Sequence, residues 1–217
     1  MKSLFLGILL IIVLGIGGLV YRNAVEHPTQ PIACPMDAKL CPDGSSVGRT
    51  GLSCTFPVCP SPNVSLSSVG IAFAVPSGFT NTNLTDSNSV AAYEIPVDPS
   101  SEESIANASI VIRRFAINAS TTALTTIQQT AIGGASGMPV SVTSFTSTVL
   151  GTHRFTVVSI ERFEGVIDTA YYLARNNDVL RFDAIDRGTD WTNPNLDISV
   201  LPAHSALTKL LMTLQGE

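Results

Sequence analysis

The chain has 217 residues, 45% of them hydrophobic and only 13% charged, with a formal net charge of −5. That length suffices for one or two domains with a real core, and the low charge excludes a charge-rich disordered chain. The negative balance excludes nucleic acid as a partner, because neutralising phosphates needs clustered Lys and Arg, and the one basic doublet here is Arg113-Arg114.

The N-terminus reads MKSLFLGILLIIVLGIGGLVYRN, and its eighteen residues from Leu4 to Tyr21 carry no charge. At about 1.5 Å per residue they would extend roughly 27 Å, close to the thickness of a bilayer core. Lys2 precedes the run, and Tyr21-Arg22 closes it like an interfacial anchor. Residues 1–22 are therefore expected to form a transmembrane anchor, with the membrane contacted through residues 4–21. A cleaved signal peptide is the alternative, although the run is long for one and no Ala-x-Ala site follows it.

All four cysteines, Cys34, Cys41, Cys54 and Cys59, lie within residues 33–60, separated by gaps of six, twelve and four residues. Zinc sites favour C-x2-C pairs and redox sites C-x-x-C, and neither spacing occurs. An even count behind an export signal points to two disulfides. Pro35, Pro42, Pro57 and Pro60 with Gly44, Gly48 and Gly51 give turns, and so short a module needs covalent closure to hold a shape. If the bridges form, the chain beyond residue 22 lies outside the cytoplasm. The stretch C…DAKLCPDG…R.G..C.F..CP resembles Cys-rich segments that follow the anchor in exported bacterial proteins. In its C-P-D-G turn it also resembles part of a Kazal-type inhibitor module. The analogy implies the alternating pairing Cys34–Cys54 with Cys41–Cys59. Inhibition is not implied, since the six-Cys set and an inhibitory loop are absent.

Residues 61–68, rich in Pro, Ser and Asn, read as a linker. Strands are expected at Ile71–Val75, Val90–Ile95 and Ser109–Ile117, with a polar loop over 98–107 between the last two. Leu124, Ile127 and Ala131 then fall on one helical face, with Ser120 or Thr121 as N-cap and Gly133-Gly134 as the stop. Strands resume in VSVTSFTS, HRFTVVSIERF, DTAYYLAR and DVLRFDAID, the last two joined by a turn at NND. A closing helix starts near Pro202 and carries the stripe Leu207, Leu210, Leu211 and Leu214. Residues 69–217 are thus expected to form an α+β domain, an antiparallel sheet with both apolar helical stripes on one face.

The segments GIAFAVPSGF, ASIVIRRF, ALTTIQQTAIGG, RFTVVSIERF, AYYLARNNDVLRFDAI and ALTKLLMTLQ resemble, in pattern and order, the PsbP-like fold family. The resemblance covers roughly two thirds of the chain and implies a sheet with a short mid-chain helix and a packed closing helix. Members act as binding or assembly factors, and no catalytic signature comes with the resemblance.

The residues carry little overt chemistry. His27, His153 and His204 form no H-x-H or H-x-x-x-H pair, so no histidine metal site is expected. Gly133–Gly137 (GGASG) reads as a turn, neither a nucleophile elbow nor a phosphate loop. Asp183, Asp186, Asp190 and Asp197, with Asn193 and Asn195, are the best cation candidates, but their spacing is not that of an EF-hand. Glu161 and Glu164 are conceivable as a hydrolytic carboxylate pair, although solvated acids are the simpler reading. Trp191, the only tryptophan, either caps the core or is a recognition anchor. The sequons at Asn63, Asn83, Asn107 and Asn118 are what a Ser/Thr-rich chain produces by chance. The reading is a single-pass membrane protein with an extracytoplasmic, non-catalytic binding or envelope-structural domain. It needs no cofactor or metal, and its protein or envelope partner is unspecified. The alternatives are an extracytoplasmic hydrolase with an acidic site, or a protease inhibitor acting through the Cys-rich module.

Overall fold

A computed structural model describes residues 2–26, 33–41, 46–59, 61–84, 86–96, 107–134 and 136–216, and within the first range the side chains of 7 and 11–22. His27, the turn residues Pro42, Gly44 and Pro60, and residues 98–106 of the expected polar loop lie outside them. The chain divides into two compact units, residues 1–38 with 48–57, and residues 39–47 with 58–217.

In the first unit, helix α1 runs from Lys2 to Glu26. The expected transmembrane helix does not hold: no helix among the described residues is long and apolar enough to cross a membrane. Within α1 the side chains of residues 11–22 are exposed. Gly15, Gly17 and Gly18 dilute the apolar surface within that stretch. The same unit contains the Cys34–Cys54 disulfide. Beside it Arg49 donates through Nε to both carboxylate oxygens of Asp37, at 2.7 and 3.0 Å, and stacks its guanidinium 4.2 Å from the centre of the Phe56 ring.

Two short strands, β1 (Ala38–Leu40) and β2 (Ser46–Gly48), pair as a ribbon. Cys41–Cys59 is the second disulfide, so the pairing is the alternating one. The bridges span sequence separations of 20 and 18 residues, and closing a loop near that length contributes roughly 3 kcal/mol by restricting the unfolded chain.

In the second unit, β3 (Val64–Leu66) pairs antiparallel with β4 (Ile71–Phe73). Residues 64–66 were expected in a linker. The alternation of Val64 and Leu66 gives them one apolar face, and both pack against the core. The main sheet comprises β5 (Thr80–Asn81), β6 (Ser89–Glu94), β7 (Ala108–Ala116), β8 (Thr146–Leu150), β9 (His153–Phe163), β10 (Val166–Ala174) and β11 (Asp178–Asp186). Their order is β5-β6-β7-β11-β10-β9-β8, antiparallel throughout. The expected VSVTSFTS strand is split: Val142–Ser144 is a 3-10 turn, and β8 starts at Thr146. The turn between β9 and β10 is Glu164-Gly165, both at positive φ (49° and 77°), the hairpin geometry whose twist suits flanking strands.

Helix α2 (Ala123–Thr130) is capped by Thr122, one residue beyond the expected caps, in a reciprocal capping box with Thr125. Helix α3 (Pro202–Met212) begins on Pro202, whose missing N–H costs nothing there. The two helices cover opposite faces of the sheet, which corrects the expectation of a shared face. Strand residues alternate in direction, and the neighbours split accordingly: Leu173, Leu180 and Phe182 pack with Leu207, Leu210, Leu211 and Leu214 of the α3 side. Tyr172, Val179 and Ala170 pack with Ile127 of α2. Both faces of β10 and β11 carry buried apolar residues, so each recruits its own helix. On the α3 side Phe155 meets Phe182 edge-on, with ring centres 6.2 Å apart.

Leu211 is wholly buried and Lys209 exposed. Truncating Leu211 to Ala removes buried contacts worth about 2–5 kcal/mol, out of a total stability of about 5–15 kcal/mol. Leu211→Ala is expected to lower the thermal midpoint of the full chain clearly and Lys209→Ala to leave it nearly unchanged. Circular-dichroism melts showing equal midpoints would mean that α3 is not packed on the sheet.

Candidate functional site

The acidic series nominated from the sequence is dispersed by the fold. Asp183 is fully buried on β11, ion-paired to Arg113 and, at 2.6 Å, to Arg181. Asp186 is buried at the end of β11 and caps α3 from outside: it accepts from the Ala203 amide at 2.8 Å and lies 2.6 Å from His204 Nδ1. Thr169 Oγ1 lies 2.8 Å from the other ring nitrogen of His204. These bonds satisfy orphan amides that Leu201, at the N-cap position, cannot serve. Asp190 accepts from Thr192 and Asp197 from Ser199, each closing a local turn, and Asn193 does the same for the Asn195 amide. Among the described residues no three His, Cys, Asp or Glu side chains converge as metal ligands.

The charged residues of the middle strands instead form a ladder on the α2 face. Asp86 accepts from Arg113 Nε at 2.8 Å; Arg113 reaches Asp183; Asp183 accepts from Arg181 Nε at 2.6 Å. Arg181 then donates through Nη1 to the Thr130 carbonyl, 2.6 Å away at the end of α2, and lies 5.7 Å from the Tyr172 ring centre. Burial works against ionisation of Asp86, but the hydrogen bond and charge of Arg113 hold its carboxyl at about 2. The other arginine of the doublet, Arg114, is bound to Asp178 at 2.6 Å, so both members are ion-paired.

Asp168 is the surplus acid of this ladder. Its Oδ2 is 4.0 Å from Arg181 Nη2, and its buried Oδ1 has no hydrogen-bond partner among the described residues. Burial, and then the charge of Asp183, push its carboxyl well above the usual range, against the pull of Arg181. A bulge in the β9–β10 register sets Asp168 opposite Glu161. Glu164 sits apart from this pair, at positive φ in the β9–β10 turn.

Glu161 also faces a cavity of about 430 Å3 walled by Gly133, Gly134, Ser136, Ile160, Arg162 and Phe163. A Cβ on Gly134 would fall 2.2 Å from Glu161 Oε2, so a side chain there would displace the Glu161 carboxylate. Phe163, 41% exposed, is at the mouth, with the half-buried Trp191 ring 5.3 Å from it. Arg162 fastens the Trp191 loop by donating to the backbone oxygens of Trp191 (3.0 Å) and Asn193 (2.6 Å). The nominated Trp191 is thus joined to residues that sequence reasoning missed as partners: Phe163 and Arg162. The missed ladder left one signal, charged Asp168, Arg181 and Asp183 inside otherwise apolar strands, which demands buried pairing.

Comparison with protein-family models finds no match, and a search of curated proteins finds none either.

Ionising Asp168 is disfavoured in the fold and unhindered in the unfolded chain. Its stabilising contribution is complete below the ordinary carboxylate value of 3.8 and is lost as pH rises through its raised folded value. Asp168→Asn, which cannot ionise, is expected to gain stability relative to the natural chain as pH goes from about 5 to about 9. Melting curves across that range test this; a constant difference between the two proteins would show that Asp168 is not held neutral.

Proposed function

We propose that this protein is an extracytoplasmic, non-catalytic binding or envelope-structural protein, and that it engages its partner through the ledge formed by Phe163 and Trp191. The observation that carries this reading is the contrast between its buried charges and its exposed aromatic surface. Asp183, Asp186, Arg113 and Arg181 are occupied in ion pairs and a helix cap, whereas the Phe163–Trp191 pair stands partly exposed beside a cavity. Aromatic side chains fixed at low entropic cost are what interface anchors require. Ile132 (44% exposed) and Met138 (66%) on the neighbouring turn extend the apolar surface. The two disulfides support a location outside the reducing cytoplasm. The resemblance to PsbP-like binding and assembly factors points the same way.

Trp191→Ala is expected to weaken capture of the cognate partner from native envelope fractions by about 30-fold or more, the cost of losing an aromatic hot spot. Lys209→Ala, on exposed α3 surface, serves as the control. Quantitative capture with the full chain decides; equal capture by the Trp191 variant and the natural protein would remove the ledge from the interface.

A further inference from the structure

The main sheet ends in two edges of unequal design. At one, β5 has only two residues, too short to offer a ladder. At the other, all five residues of β8 pair with β9 in an unbroken register, Thr146 opposite Val157 through Leu150 opposite His153. No strand pairs with the outer side of β8 among the described residues, which leaves a row of backbone N–H and C=O groups unused. The usual protections are missing too. Residues 141–150 contain no charge and no proline, the β8–β9 register has no bulge, and Val149 is 54% exposed.

We infer that β8 is an interaction edge and that its occupant is β8 of a second copy of this chain. A strand pairing antiparallel with its own copy makes a two-fold symmetric contact, the commonest form of self-association. Full overlap of the five residues puts the axis at Thr148, so that Thr148 faces its twin, Ser147 faces Val149, and Thr146 faces Leu150. No like charges meet across this register, although the whole chain carries a net charge of −5, and a Thr–Thr pair is favourable. A peptide of different chemistry would make the same backbone bonds, but β8 provides no charged side chain to select it. Self-pairing needs no such selector. The result is one continuous sheet of fourteen strands, twice the seven of a single copy.

The test is charge exchange at the axis, read by sedimentation velocity on the full chain in mild detergent. The natural protein is expected to dimerise as its concentration rises. Thr148→Lys and Thr148→Glu, each placing like charges opposite one another, are expected to be monomers with self-association weakened at least about 10-fold. An equal mixture of the two is expected to recover the dimer, which excludes misfolding as the cause of the loss. A natural protein that stays monomeric, variants that associate as it does, or a mixture without recovery would each overturn the inference. Hydrogen exchange on the unmutated chain gives an independent reading: the amides of residues 146–150 slow with rising concentration if β8 pairs with itself, and exchange independent of concentration overturns it.

Discussion

The carboxylate of Asp183 has no exposed surface, and the rest of the second unit is arranged around that constraint. An ion moved from water into a protein interior carries a penalty of several kcal/mol unless charges and hydrogen bonds meet it. Arg181 and Arg113 meet it from two strands, and Asp86 in turn balances Arg113. The β7–β11 register sets Arg113 directly opposite Arg181, two like charges that are tolerable only because Asp183 lies against both. A slip of one residue would turn Arg181 and Asp183 toward the α3 core and carry Leu180 and Phe182 away from it. The buried ion pairs therefore tie the register of β7 and β11 to the burial of these charges.

The same ladder explains how both sheet faces close. Arg181 finishes its hydrogen bonding on the Thr130 carbonyl, one of the orphan acceptors at the end of α2, so the helix is held where the strand charges need an acceptor. On the opposite face Asp186 anchors the start of α3, with His204 and Thr169 completing the chain of contacts. Each helix is thus positioned by an apolar stripe and fixed along its axis by a charged residue of β11.

What is left after these commitments is informative. The Gly133-Gly134 turn approaches Glu161 closely, the bulge brings Glu161 opposite Asp168, and Arg162 pins the Trp191 loop over Phe163. A pinned loop and a partly exposed aromatic pair occur together there. The β8 edge offers a different currency, unpaired backbone groups, at the far end of the strand order from β5.

The local features are legible in the spacing of the residues. Alternating β-branched residues gave the strands, NND gave the β10–β11 turn, four clustered cysteines gave two disulfides, and the stripe Leu207, Leu210, Leu211 and Leu214 gave a buried face to the closing helix. These depend on spacings of a few residues, which a sequence displays directly. It misled where an apolar run was taken as a membrane span, since no helix among the described residues is long and apolar enough to cross a membrane. Tertiary contacts settle which sheet face each helix covers, that β7 lies beside β11, that Asp183 pairs with arginines and that Asp186 caps α3. Those outcomes join residues such as Arg113 and Asp183, 70 positions apart. Their pairing is set by the cost of burying charge alone, a cost that exists only once the sheet has closed around them.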